Sequence, residues 1–358
     1  MGALAHTVGE TKHTAQVAVG DHAAAMAAMA EAFAEHGPDL GEAGLVAVGH
    51  RVVQGGARFG RSVRIDEDAL AIIEDLSDLA PLHNPANAAG IRVAMAQFPE
   101  LPHVAVFDTA FHLTMPEVAH TYAIDREVAN EHRIRRYGFH GTSHAYVSRR
   151  AAEVLGRPVE DTNVIVLHLG NGASACAVRG GVSVDTSMGL TPLEGLVMGA
   201  RSGDIDPAVV FHLARTAGMD IDAVDTLLNK RSGMLGLAGR QDMRDLVSAA
   251  EDGDEAAQLA LQIYCYRVRK YVGAYLAVLG RVDAIVFTAG IGENSPEVRG
   301  LSLAGLTGLG IEVDGEANLV RSKEPRDIAT PGSPVRVLVI PTNEELEIAR
   351  QAIEVVGA

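Results

Sequence analysis

The chain has 358 residues, 46 acidic against 30 basic side chains and a formal net charge of −16, so no field of the whole molecule attracts nucleic acid or an anionic membrane. That length is enough for two domains with cores of their own, and an anionic ligand would need a local cluster of cations. The two cysteines, Cys176 and Cys265, each stand in an apolar periodic segment, which argues against a disulfide framework or zinc site and for a reducing, cytoplasmic setting.

The first residues lack a basic leader and apolar core, and no apolar run reaches membrane-spanning length. Residues 22–35 are strong helix formers closed by His36-Gly37-Pro38. The Val-rich run from Leu45 to Val53 predicts a strand that ends at Gly55-Gly56 and delivers His50 and Arg51. Helical spacing from Asp66 to Leu76 is followed by a loop over Ala80 to Pro85, bracketed by two prolines. A helix over about 86–97 then leads to the strand His103 to Phe107, which runs into Asp108. Strand, polar loop and helix in repetition predict α/β layering with functional side chains at strand ends.

From Asn163 to Thr186 the pattern changes to a three-stranded meander, turned by Gly170-Asn171-Gly172 and Gly180-Gly181. The loop Asp185 to Pro207 follows, broken by Gly189, Gly195, Gly199 and Gly203 around a lone Arg201. Helical patterns fill 207–217, 222–229, 242–251 and 255–280, before a strand from Asp283 to Thr288 that enters Ala289 to Ser295 as a loop. A last strand, Val335 to Ile340, precedes Thr342-Asn-Glu-Glu, which has the form of a capping box. With Thr342 as N-cap, Glu345 would reach back to the cap and Glu344 would be left for a metal-bound water or solvent.

Four glycine-bearing junctions, Gly49 to Gly56, Gly138 to Ser143, Leu169 to Ser174 and Ala289 to Ser295, would let backbone N–H groups approach phosphate oxygens. None has P-loop or dinucleotide spacing, and each alone is also an ordinary turn. Arg51 and Arg201, in apolar or glycine-rich surroundings, call for an anion: a ligand, or else an internal partner such as Asp108, Asp204 or Asp206. Arg244 reads equally as a ligand contact and as a solvated helix start. His140, between glycines, is either a core imidazole or an accessible one, and Asp108 could hold Mg²⁺ or cap the next turn through Thr109. The apolar set Met188, Leu190, Leu193, Leu196 and Met198 reads as core.

Gly49-His-Arg-Val-Val, Pro81-Leu-His-Asn-Pro, Val106-Phe-Asp-Thr-Ala-Phe-His, Tyr137-Gly-Phe-His-Gly-Thr-Ser-His, His168-Leu-Gly-Asn-Gly, the Arg201 loop, Phe287-Thr-Ala-Gly-Ile-Gly-Glu-Asn and Thr342-Asn-Glu-Glu together resemble the acetate kinase family, in order from about His50 to the C-terminus. The resemblance implies an α/β fold of two actin-like domains with a cleft between them, as in sugar kinases, heat-shock chaperones and actin. The first would span 1–109, with the helix 342–358 packing back on it, and the second 110–341, carrying the nucleotide site and the interface of a homodimer.

The implied reaction is reversible transfer of the γ-phosphoryl of ATP to acetate with Mg²⁺, or Mn²⁺ in its place, in a cytoplasmic enzyme without nucleic-acid or membrane partners. By resemblance, Asp108, His140 and Arg201 are the catalytic residues, and Arg51, Val53, Leu82, Phe139 and Pro192 bind the substrate. His168, Asn171, Gly172, Asp242, Arg244, Gly290, Ile291 and Asn294 match the nucleotide side, and Glu344 the metal-linked glutamate. Departures from the family pattern are Gln54 for histidine, Leu113 for glutamine, Ala200 for threonine, and no N-terminal Asn-Ala/Ser-Gly-Ser-Ser-Ser-Leu-Lys segment, whose lack predicts reduced activity of the chain as given. Two other readings remain: a non-catalytic nucleotide-binding or dimer-partner protein, and a kinase for propionate or another short acid.

Overall fold

A computed structural model describes residues 2–81 and 83–357, the side chain of His22 aside. Leu82, expected at the substrate pocket, lies outside the described residues. The chain divides into two units, one running to Ala110 and resuming at Glu345, the other Phe111–Glu344.

The first unit opens with a hairpin that sequence reasoning did not foresee, β1 (Gly2–Val8) against β2 (Thr11–Val17), turned at Gly9 with φ of +59°. Next come α1 (His22–His36), β3 (Val48–Val52), β4 (Val63–Arg64), α2 (Glu67–Asp75), α3 (Asn84–Gln97) and β5 (His103–Phe107). Buried on every residue, β5 is central: β3 pairs with it in parallel and β4 antiparallel. The C-terminal helix covers this sheet, with Ile348, Ala352 and Val355 packed on Val104 and Val106.

That contact gives glycine a packing reason within Gly49 to Gly56, in keeping with the ordinary-turn alternative to a phosphate junction. A Cβ on Gly49 would lie 2.6 Å from Ile348 Cγ2, and one on Gly55 would press on the Phe107 ring at 3.0 Å. These glycines admit a helix and a ring. The loop foreseen over 80–85 is also shorter, because Pro85 sits in the first turn of α3, where its missing N–H costs nothing.

The second unit contains α4 (Glu117–His120), α5 (Arg126–Glu131), α6 (Gly141–Leu155), β6 (Asn163–Leu169), β7 (Ala173–Arg179), β8 (Val182–Thr186), α7 (Ala208–Ala217), α8 (Ile221–Lys230), α9 (Gly233–Ala238), α10 (Met243–Glu251), α11 (Glu255–Leu279), β9 (Ala284–Thr288), α12 (Ala289–Asn294), α13 (Pro296–Leu303), α14 (Gly315–Leu319), β10 (Arg326–Asp327) and β11 (Arg336–Val339); α15 (Glu344–Val356) closes the chain. Its sheet runs β10-β11-β9-β6-β7-β8, with β11, β9 and β6 parallel and the β6-β7-β8 meander antiparallel. Val164, Val166, Cys176, Val178, Ala284, Val286, Leu338 and Ile340 form one core with Tyr146, Val147 and Ala151 of α6. Each such aliphatic burial contributes about 1.5–3 kcal/mol.

Part of the acidic excess sits at helix starts, where Asp21, Asp66, Asp125, Asp220, Asp242, Asp254 and Asp314 accept first-turn N–H groups that the helix itself leaves unpaired. Two expectations are corrected at the far end. Ala289 to Ser295 is not a loop: it is the helix α12 followed by one extended residue. Nor is Thr342 a helix cap, since α15 starts at Glu344, while the Thr342 hydroxyl bonds Ser143 at 2.8 Å and its N–H donates to Glu293.

Fully buried His112 links the meander to the segment before α6, with Nδ1 2.9 Å from Ser183 Oγ and Nε2 3.0 Å from the Phe139 carbonyl. Burial lowers its pKa to about 4. The unfolded chain, with an ordinary imidazole, takes up a proton first as pH falls, so this residue's contribution to stability declines from about pH 6.5 down to about 4. An NMR titration should therefore find the His112 ring neutral at pH 5.5; a midpoint near 6.5 would contradict its burial.

Candidate active site

In the second unit the site grows from two strand ends and one strained helix start. Strand β6 ends at His168-Leu169, and the turn Gly170–Gly172 closes through a Gly170 N–H to Gly172 carbonyl bond of 2.9 Å. Opposite it, α6 begins after His140, a non-glycine residue in the left-handed region at φ +57°, ψ +23°. Its neighbour Gly138 permits this approach: at φ +73°, a Cβ there would lie 2.4 Å from Thr186 Cγ2 and 2.7 Å from the His112 ring. No strand leads into this junction, contrary to the reading of Gly138 to Ser143 as a strand end. Backbone held in a sparsely populated region costs about 1–3 kcal/mol and persists where its surroundings impose it.

What imposes it on His140 is a buried polar network. The ring stacks on His168 at 4.1 Å between centroids, and His168 Nδ1 meets Ser143 Oγ at 2.8 Å. Ser174 Oγ lies 2.9 Å from His140 Nδ1 and 2.8 Å from His144 Nε2. One hydroxyl has one proton, so one of these nitrogens accepts and the other donates. Because His144 Nδ1 is buried without a partner, its proton belongs on Nε2, which donates to Ser174. Ser174 then donates to His140 Nδ1, leaving the His140 proton on Nε2.

That nitrogen faces the turn. A Cβ on Gly172 would stand 3.4 Å from His140 Nε2 and 3.6 Å from Arg201 Nη1, so glycine, imidazole and guanidinium converge on one small space. Arg201 Nη1 donates to the Pro192 carbonyl at 3.1 Å and approaches Met198 Sδ at 3.7 Å; among the described residues it has no carboxylate partner. Burial lowers its pKa. A guanidinium partly withdrawn from water without a counter-ion is an anion site.

Backbone bonds from other segments hold the Arg201 loop. Gly199 N–H donates to the Asn171 carbonyl at 3.1 Å, and the start of α9 supplies Ser232, Met234 and Leu235 N–H groups to the carbonyls of Ala200, Met198 and Gly199 at 2.9–3.0 Å. Sequence reasoning passed over α9, a helix of six residues that contains two glycines.

A cleft of about 900 Å³ in the same unit is lined by Asn171, Asp242, Arg244, Gly290, Ile291 and Asn294, all foreseen, and by Gln241, Ser248, Glu251 and Arg321, which were not. Ser248 and Glu251 follow Arg244 at helical spacing on α10 and were legible in principle; Arg321 carries no local signal. Gln241 Nε2 donates to Asn171 Oδ1 at 2.8 Å, tying the glycine turn to the cleft. Hydrogen bonds from Arg244 hold the exposed Asp242 carboxyl down at about 2, so it caps α10 as an anion. His168 and Gly172, expected with this group, lie instead with His140 and are not part of the cleft lining.

In the first unit, β3 and β5 run in parallel and end together at Arg51 and Asp108. Arg51 Nε donates to Asp108 at 3.0 and 3.1 Å and Nη2 at 2.7 Å, so the internal partner considered for Arg51 is what the structure shows. Burial raises the Asp108 pKa and Arg51 opposes it. Thr109 Oγ1 accepts the Gly55 N–H at 3.0 Å. Val53 is half-buried on the same strand end, whereas Phe139 and Pro192 belong to the second unit, the former buried and the latter half-buried.

Comparison with known proteins places these elements. The chain matches the acetokinase family over residues 2–350. It is 61% identical over 352 residues to the acetate kinase of Clavibacter michiganensis subsp. michiganensis, covering 98% of this chain and 89% of that one. To the acetate kinase of Streptomyces avermitilis it is 62% identical over 339 residues, covering 95% and 84%. Among solved structures, acetate kinase from Porphyromonas gingivalis superposes with a TM-score of 0.92 at 41% identity, covering 97% and 88%. A propionate kinase from Francisella tularensis subsp. tularensis does so with 0.92 at 44%, covering 98% and 89%.

Ser174→Ala leaves His144 Nε2–H and His140 Nδ1 without a shared partner. Denaturant unfolding should show a loss of about 1–3 kcal/mol, the cost of an unsatisfied buried polar group; an unchanged midpoint would contradict the shared-hydroxyl arrangement.

Proposed function

The chain belongs to the acetokinase family, and we propose that it transfers the γ-phosphoryl group of ATP reversibly to acetate, giving acetyl phosphate and ADP. The observation that carries this reading is Arg201, a desolvated cation with no carboxylate partner, beside the His140 Nε2 and the open face of Gly172.

Phosphoryl transfer asks a protein for positioning and charge neutralisation more than for covalent chemistry. Arg201 binds the transferring phosphoryl group, and His140, donating from Nε2, stabilises charge on its equatorial oxygens. Acetate is already an anion at neutral pH and needs no base. That fits Asp108, whose carboxylate is occupied by Arg51 and so orients that guanidinium toward the acetate carboxylate instead of taking a proton. By resemblance to the family, Val53, Leu82, Phe139 and Pro192 are assigned to the methyl group of the acid, and Asn171, Gly172, Asp242, Arg244, Gly290, Ile291 and Asn294 to the nucleotide, with His168 stacked on His140.

No group of three or more His, Cys, Asp or Glu among the described residues is arranged to cage an ion. Mg²⁺ suits such a protein, because it binds through one or two carboxylates and completes its shell with phosphate oxygens and water. By resemblance to the family, Glu344 is the carboxylate that would hold it, and it would neutralise charge on the ATP phosphates. No described helix is long and apolar enough to cross a membrane. Both cysteines are reduced and buried, which supports a cytoplasmic setting, and exposed Phe211 on α7 and Ile221 on α8 support a homodimer.

Arg201→Leu should lower acetyl phosphate formation about 10²–10³-fold, the cost of removing a charge-stabilising donor, with circular dichroism and unfolding temperature unchanged. Retained turnover would remove Arg201 from the reaction. Because one of the similar structures is a propionate kinase, the acid needs its own test. An added methylene changes discrimination by about 10–200-fold, so kcat/KM for propionate should fall below that for acetate within this range. Faster turnover of propionate would reassign the substrate.

A further inference from the structure

Two carboxylates of the Arg201 loop, Glu194 and Asp204, flank the arginine, and we propose that both are positioning residues that hold Arg201 for phosphoryl transfer. The inference rests on the role given to Arg201 above. Between β8 and α7 the loop has no regular secondary structure, and its glycines at 189, 195, 199 and 203 leave its backbone free to take many paths. Among the described residues the guanidinium is held only by a carbonyl and a thioether, both from the same loop. Its position is therefore the position of the loop.

Glu194 closes the first half. It accepts from Arg136 Nη2 at 2.5 Å and from the Tyr122 hydroxyl. Arg136 Nη1 donates in turn to three successive carbonyls, Thr186 at 3.0 Å, Ser187 at 3.2 Å and Met188 at 3.0 Å, while Tyr122 Oη accepts the Leu190 N–H at 3.0 Å. A Cβ on Gly189 would come within 2.2 Å of Tyr122 Oη and still closer to Glu194 Oε2, so only glycine lets this knot close. Burial and the bond to Glu194 push the Tyr122 pKa up, and the hydroxyl remains a donor. Pro192, whose carbonyl takes Arg201 Nη1, sits inside the closed segment.

Asp204 closes the second half. Its Oδ1 accepts the Gly195 N–H at 2.8 Å, and its own N–H returns to the Gly195 carbonyl at 3.0 Å. Oδ2 accepts the Tyr271 hydroxyl at 2.9 Å and lies 3.4 Å from Arg267 Nη1, which also donates to the Asp204 carbonyl at 3.1 Å. Tyr271 and Arg267 stand on α11, so the loop is fastened to the longest helix of the unit. Arg201 lies between the two fastenings, and neither carboxylate touches it.

Glu194→Gln and Asp204→Asn preserve size and remove charge. In the full-length chain each should lower kcat tenfold or more, with KM for ATP within twofold, calorimetric ATP binding retained and the unfolding temperature shifted only slightly. In an Arg201→Leu background, followed with radiolabelled ATP to reach the residual rate, Glu194→Gln should cost less than a further twofold, because it acts through Arg201. Wild-type kcat in both single variants, an equal loss in both backgrounds, or loss of ATP binding together with turnover would each overturn the proposal. Full turnover by Arg201→Leu alone would instead overturn the role given to Arg201.

Discussion

A guanidinium that is partly desolvated and left without a carboxylate is unfavourable in the free protein, and the architecture around Arg201 consists largely of what keeps it so. Acids are abundant in this chain, and Glu194, Asp204 and Asp206 stand between β8 and α7. Each is engaged elsewhere: Glu194 by Arg136 and Tyr122, Asp204 by the Gly195 N–H and the hydroxyl of Tyr271, and Asp206 by the Ala208 N–H. With those acceptors occupied, Arg201 has no carboxylate partner among the described residues, which is what the proposed anion site requires. The first unit makes the opposite choice, since Arg51 lies in a bidentate pair with Asp108, where orientation of the guanidinium gains and availability loses.

In both units the side chains proposed for function stand at the carboxyl ends of strands running in parallel, β3 and β5 in one, β6 and β9 in the other. Parallel strands buried on both faces can be nearly continuous in Val, Ile and Ala, and such runs announce themselves. This is why β5, β6 and β9 and the residues just beyond them were legible from the chain alone, along with the meander marked by two glycine turns and the long helix α11. The strand-end residues Arg51, Asp108 and His168 inherit that legibility.

What was not legible depends on partners far away in sequence. Gly49 looked like phosphate-binding backbone, but its missing side chain makes room for Ile348 near the other end of the chain. Ala289 to Ser295 looked like a loop because glycine disfavours helix, yet six residues hold a helical turn and a half with Ala289 at φ +64° to begin it. Thr342 had every local mark of a cap and was claimed instead by Ser143, 199 residues away. Arg136 and Glu194 stand 58 residues apart in stretches without a motif for ion pairing. Local chemistry predicts what a residue is able to do, and tertiary contacts decide which of those options it takes.

The Ser174 hydroxyl, set between two imidazoles, has a consequence for timing. A tautomer change at His140 would require Ser174 to reverse its hydrogen bond and His144 to give up its donor, in a pocket where His144 and Ser174 are fully buried. The protons of Ser174 and His144 would have to move in step, because neither group is open to solvent. The face that His140 turns to the glycine turn is thus settled when the chain folds, and an anion arriving there would meet a donor already aimed.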